Sequence, residues 1–220
     1  MIYFQSMSCK KYPILYSFRR CPYAMRARLV LRSKSEYVEL REIKLQNKPQ
    51  EFLEMTALGT VPVLVLSNSK VLLESLDIIR WCLKDTEKVI ENKKMYHDIK
   101  WEYIENFDTI FKHNLDRYKY PTRFSSIDPI VYRKKNIPFL KSLNERLKNS
   151  KFLFDDKIDF ADYCIFPFVR QFRNVNVGWF ENLNFKFLNN WFSIILESDE
   201  FKSIMKKYTV ASETWPSVPS

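Results

Sequence analysis

The stretch "SFRRCPYAMRARLVL" (17–31) sets one cysteine, Cys21, between two arginines and a proline. Proline suits the first turn of a helix, where its missing N–H is not needed, so Cys21 stands just before a helix start. The unpaired N–H groups of such a first turn, together with the helix dipole, favour negative charge. Arg19 and Arg20 add positive potential from the other side. In surroundings of this kind a thiol pKa falls from about 8.5 to roughly 3.5–7.5, which predicts a thiolate nucleophile at neutral pH. A dithiol redox site would place its second cysteine at position 24, and Ala24 stands there. Any disulfide formed by Cys21 must then be resolved by a thiol from outside the motif. The competing reading is a buried cysteine that only packs.

Two other places could work with that thiol. "TVPVL" (60–64) brings a valine–proline pair to the start of an apolar run. Either the proline is edge punctuation, or the Val61–Pro62 bond is cis and presents the Val61 backbone to a ligand, which could pair with it as an added strand. "ES", Glu74–Ser75, lies where an apolar run gives way to a helical pattern. Ser75 is the expected N-cap. The same helix start could also hold a ligand carboxylate through its N–H groups and hydroxyl, with Glu74 holding an amine. Cys82 in "IIRWCLK" and Cys164 in "ADYCIFPF" fall in apolar helical patterns and read as core, and Cys9 lies near the start.

The elements that must hold these residues form two unlike halves. "PILYSF" (13–18) reads as a buried strand and 21–34 as a helix, with Ala24, Ala27 and Leu31 on one face and Arg26, Arg28 and Arg32 on the rest. "YVELREI" (37–43) alternates like a half-buried strand, with Val38 and Leu40 on one side, completing a parallel βαβ unit. A short helix after Pro49 leads to strands at 62–66 and 71–73, antiparallel because the turn between them is tight, and then to a helix at 74–84. From about residue 95 the pattern is helical, at 95–118, 128–149, 159–176 and 184–208, with Ile99, Tyr103, Phe107 and Phe111 on one stripe of the first. The fold class is therefore α/β plus all-α. The expected divisions are a tag remnant at 1–6, a first domain at 7–84, a linker at 85–94, a helical domain at 95–210 and a tail at 211–220.

Composition narrows the function classes. Of 220 residues, 46% are hydrophobic and 16% aromatic, enough for a buried core and too many for a disordered chain. No apolar run approaches the roughly 18 residues of a membrane span, and no secretory signal opens the chain. Four scattered cysteines predict neither a metal site nor a disulfide scaffold, and suit a reducing cytoplasm. With only His97 and His113, the sequence argues against a histidine-rich metal site or a Ser-His-Asp hydrolase. The net charge of +10 is spread among interspersed lysines and acids, so it predicts neither a nucleic-acid nor a membrane partner.

Read together, "RRCPYAMRARLVL", "KLQNKPQEF", "TVPVLVL" and "LLESLDIIRW" resemble the ordered motifs of the thioredoxin-like domain of glutathione transferases, most closely the cysteine-type omega class and its bacterial relatives. The match runs over about residues 13–84. The helical half fits the same architecture, and "DFADYCIFPFVRQF" (159–172) is similar to the family's N-capping helix, with Asp159 where Ser or Thr is usual. The resemblance implies glutathione as co-substrate and no metal. Cys21 would form the mixed disulfide, Val61 would pair with the tripeptide backbone before a cis Pro62, and Glu74 and Ser75 would bind the γ-glutamyl group. Lys48 would meet the glycyl carboxylate. Tyr23, Phe107 and Phe111 are candidates for the wall of a second-substrate pocket, against a competing reading as aromatic core. The implied activity is thiol transfer or reduction on a small disulfide, glutathionylated or electrophilic substrate, in a cytoplasmic homodimer. A non-enzymatic binding protein on the same scaffold, or conjugation to electrophiles, remain the alternatives.

Overall fold

The computed structural model describes residues 12–83 and 91–208, with only the backbone of 91–96. The expected tag remnant at 1–6, Cys9, residues 85–90 of the expected linker and the tail at 211–220 lie outside the described residues. Two compact units emerge: one of residues up to Thr86 together with those from Lys202 onward, the other of Glu87–Phe201. The first unit thus takes in Lys202–Tyr208, which the sequence pattern assigns to the helical domain.

The first unit is a thioredoxin-like layer of sheet and helices. β1 (Ile14–Ser17), α1 (Pro22–Ser33) and β2 (Glu39–Glu42) form the parallel βαβ unit, and α2 (Gln50–Met55) precedes β3 (Val63–Val65), β4 (Val71–Leu72) and α3 (Ser75–Cys82). The sheet order is β2-β1-β3-β4, with β3 antiparallel to both β1 and β4. β1 and β3 are buried on both faces, which is why they read as unbroken apolar runs and not as alternation. Ile14, Tyr16, Ala24, Phe52, Val63 and Val65 pack as one core cluster, with Cys21 against its edge.

α1 departs from the amphipathic expectation. Arg26 and Arg28 are 2% and 5% exposed instead of facing solvent. A buried guanidinium is tolerated only where its donors are met. Arg28 pairs with Glu42 at 3.3 Å, and Glu42 also accepts from the Arg19 backbone N–H at 2.5 Å. Burial nevertheless raises the Glu42 pKa, against the lowering effect of those two partners.

The second unit is all helical: α4 (Glu91–Asn106), a π-helical turn (Phe107–Phe111), α5 (Lys112–Lys119), a 3₁₀ turn (Pro121–Arg123), α6 (Pro129–Lys135), α7 (Ile137–Arg146), α8 (Phe160–Arg173), α9 (Val177–Glu181), α10 (Lys186–Glu197) and the first turn of α11 (Asp199–Ile204), whose residues from Lys202 onward belong to the first unit. α4 begins four residues earlier than the periodicity suggests. Its buried face also differs, because Trp101, Ile104, Phe107 and Phe111 are enclosed while Ile99 is 44% exposed. The π turn, closed by Lys112 N–H donating to the Phe107 carbonyl, adds a residue to the repeat and re-aims the stripe. α8 starts on the expected capping box. Asp159 accepts from the Ala161 N–H at 2.8 Å, and Asp162 accepts in return from the Asp159 N–H at 3.0 Å.

Candidate active site

Cys21 is the N-cap of α1, with extended backbone, and Pro22 opens the helix as expected. Its thiol donates to the Val61 carbonyl at 3.6 Å. The Val61–Pro62 bond is cis, and Val61 precedes β3, so the sheet ladder begins two residues later. Both residues line a cavity of about 500 Å³ together with Tyr23, Lys48, Glu74 and Ser75. The first unit therefore gathers every expected residue of the thiol and glutathione site, drawn from four separate segments. Leu45, Leu58 and Leu73, each partly or largely exposed, edge the same cavity.

Lys48 lies between the start of α2 and Gly59. α2, which starts two residues later, is fastened to the sheet by Glu51, which accepts from the Tyr16 hydroxyl at 2.9 Å and from Arg41 at 2.8 Å. Phe52 seats the same helix on the Tyr16 ring, 5.4 Å between centroids. Burial, and then the bond to Glu51, push the Tyr16 pKa up to about 12, so this phenol stays a donor. On the other side, Gly59 adopts φ +57°, and a Cβ there would come within 3.1 Å of Lys48 Nζ. Glycine both supplies the left-handed turn and leaves room for the ammonium group.

The remaining electrostatics differ from the expectation at two points. Arg19 donates to the Met205 carbonyl at 2.9 Å and Arg20 lies over the Phe18 ring, so neither lines the cavity. Ser75 is not the N-cap of α3; Glu74 is, and Ser75 is the first helical residue. Its hydroxyl instead meets Arg26, whose Nε and Nη2 donate to Oγ at 3.0 and 2.8 Å. The sequence reading put Arg26 on a solvent face and so missed it. The only hint in the sequence is an arginine five residues past the cysteine on a helix otherwise rich in small and apolar residues.

Of the three second-substrate candidates, only Tyr23 lines this cavity. Phe107 and Phe111 are core residues of the helical unit, 3% and 0% exposed and stacked at 4.2 Å. Phe168, Phe139 and Phe172 enclose them. Full burial of a phenylalanine contributes about 1.5–3 kcal/mol, so their placement is that of packing residues. Cys82 and Cys164 are buried as expected, and neither they nor Cys21 are in a disulfide. Among the described residues no group of three or more His, Cys, Asp or Glu stands close enough to hold a metal ion, and no helix is long and apolar enough to cross a membrane.

Family models cover both units. "Glutathione S-transferase, N-terminal domain" matches residues 15–88, and "Glutathione S-transferase, C-terminal domain" matches residues 133–199. Glutathione S-transferase omega-1 of Mus musculus is 28% identical over 172 residues, 71% of this chain and 65% of the mouse protein. The chain thus spans just under two thirds of that relative. Glutathione S-transferase omega-2 of Rattus norvegicus is 44% identical over 62 residues, 28% of this chain and 25% of its own length. Among solved structures, glutathione transferase URE2P6 from Phanerochaete chrysosporium, in complex with oxidized glutathione, superposes with a TM-score of 0.73 at 20% identity, covering 90% of this chain and 96% of that one. Poplar glutathione transferase F1 gives 0.71 at 21%, covering 89% and 97%.

Proposed function

Because the chain belongs to the glutathione S-transferase family, we propose that it acts as a glutathione-dependent thiol transferase through Cys21. The observation that carries this is the Cys21 thiol at a helix start, 3.6 Å from the Val61 carbonyl, in one cavity with Lys48, Glu74 and Ser75. The tripeptide's cysteinyl backbone pairs with Val61, its glycyl carboxylate meets Lys48, and Glu74 and Ser75 take the γ-glutamyl end. That arrangement lays the glutathione sulfur beside Cys21.

Thiol exchange then proceeds in two balanced steps. The Cys21 thiolate attacks the glutathione sulfur of a mixed disulfide; the old S–S bond breaks and the partner thiol leaves with a proton from solvent. The thiolate of a second glutathione attacks the Cys21–glutathione disulfide, releasing oxidised glutathione and restoring the Cys21 thiolate. Ala24 leaves no resolving cysteine within the motif, so the second thiol has to come from glutathione. The substrate class is a small disulfide or a glutathionylated thiol, with electrophiles as a minor one. A cytoplasmic setting and a homodimer belong to the same reading.

A coupled assay with the mixed disulfide of glutathione and a small thiol tests this. Turnover saturable in glutathione is expected. Absence of turnover, alongside fast conjugation of an aryl halide, would reassign the protein to conjugation. Lys48→Ala is expected to raise the glutathione KM about tenfold, the equivalent of about 1.4 kcal/mol, with little change in kcat, because Lys48 grips the end of the tripeptide remote from sulfur.

A further inference from the structure

Arg26 and Ser75 are each 2% exposed. They stand 49 positions apart, one on α1 and the other at the first residue of α3. Two guanidinium nitrogens donate to the same oxygen, at 3.0 and 2.8 Å. A serine hydroxyl has two acceptor lone pairs and one proton, and a guanidinium can only donate. Both lone pairs of Ser75 Oγ are therefore occupied, and its proton is directed away from Arg26. Among the described residues Ser75 Oγ donates to no protein acceptor, and Ser75 lines the cavity. Hydrogen bonds in series polarise one another, so a hydroxyl that accepts from a cation is a stronger donor. Tyr23, another lining residue, has its ring 5.0 Å from the guanidinium carbon.

We propose that Arg26 is a positioning residue that makes Ser75 a donor-only group and so selects a carboxylate, not a carboxamide, at the γ-glutamyl end of the ligand. A serine that could rotate would accept from an amide N–H₂ as readily as it donates to a carboxylate. With its lone pairs held by Arg26 it can only donate, and an anionic acceptor takes the stronger bond. The inference rests on the glutathione reading above.

The test uses the full chain with two ligands, glutathione and its analogue carrying a carboxamide in place of the γ-glutamyl α-carboxylate. Calorimetric titration gives the ratio of the two dissociation constants, and steady-state assays give KM and kcat. The native chain is expected to bind the amide at least about tenfold more weakly, as befits a charged against a neutral hydrogen bond. In Arg26→Met the penalty is expected to shrink below about threefold, with KM for glutathione rising more than kcat falls. Arg26→Lys, which keeps one donor and the charge, is expected to lie between. Ser75→Ala should also lose the penalty, and adding Arg26→Met to it should change KM no further. A penalty unchanged in Arg26→Met overturns the proposal even if glutathione binds more weakly, since a purely structural arginine would affect both ligands equally. Should the Arg26 variants fail to fold, a penalty that survives Ser75→Ala overturns it instead. If the native chain binds glutathione with no amide penalty, this inference falls alone; if it binds no glutathione, the reading beneath it falls too.

Discussion

Cys21→Ala is expected to cut the glutathione-dependent reduction of a mixed disulfide by at least about three orders of magnitude while leaving the fold intact. Cys21→Ser should fare no better, because a serine hydroxyl is not ionised near neutral pH and cannot form the disulfide through which exchange runs. The fold should survive because Cys21 is only partly buried and lies at the edge of its cluster, bonded to the Val61 carbonyl. Its backbone N–H still reaches the Phe18 carbonyl at 2.9 Å, and its carbonyl still accepts from the Met25 N–H at 2.8 Å. Neither contact needs the thiol. Cys82 and Cys164 are buried, so alanine at either should reduce stability and spare the chemistry. Stopped turnover in Cys21→Ala with an unchanged circular dichroism spectrum is the expected pair of results. Retained turnover would place the reaction elsewhere.

The largest expected loss of stability is at Asp162. Its Oδ1 accepts from the Leu153 N–H at 2.9 Å and from Trp191 Nε1–H at 2.7 Å, and its Oδ2 accepts from the Asp159 N–H. One side chain thus joins the loop before α8, the start of α8 and the middle of α10. Asp162→Ala strands the buried Leu153 and Trp191 donors, each at about 1–3 kcal/mol, and also leaves the part-buried Asp159 N–H without its acceptor. Removal of a buried charge offsets part of that, and about 3–4 kcal/mol of destabilisation remains. For a chain of this size that lowers Tm by on the order of 10 °C. Asp162→Asn keeps one oxygen for Leu153 and Trp191 and turns only the Asp159 contact repulsive, so it should lose less.

The same carboxyl gives a pH signature. Burial raises its pKa from 3.8 to about 6, against the lowering effect of its three donors. An acid with a raised folded pKa holds its proton in the folded state over an interval where the unfolded chain has released it. Its contribution to stability is full below about pH 4 and is lost as pH rises through about 6. The Tm gap between the native chain and Asp162→Asn should therefore narrow from pH 4 to pH 7, and calorimetry at a series of pH values measures it.

Legibility of the site followed from how far each residue's neighbours lie along the chain. Cys21 with Pro22, Val61 with Pro62, and Glu74 with Ser75 each declare themselves within two residues, because helix starts and proline constrain the backbone locally. The βαβ unit and the antiparallel pair were equally visible, since strand runs and turn signals are local as well. Arg26 was not, because its meaning depends on Ser75, 49 residues away, and an arginine among others on a helix ordinarily marks its solvent face. Phe107 and Phe111 misled in the opposite sense. Their spacing of four fits either a pocket wall or a core stripe, and only the π turn and the rings around them decide for core. Arg19 and Arg20 lie close to Cys21 in sequence, yet their guanidiniums settle on Met205 and Phe18.

The most direct measurement is mass spectrometry of the native chain after incubation with oxidised glutathione, with the adduct mapped to a proteolytic peptide. The expected result is one glutathionyl group on the peptide that carries Cys21, removed by excess reduced glutathione and absent from Cys21→Ala. A peptide carrying unmodified Cys21, or an adduct that persists in Cys21→Ala at the same level, would contradict a mechanism that runs through this thiol.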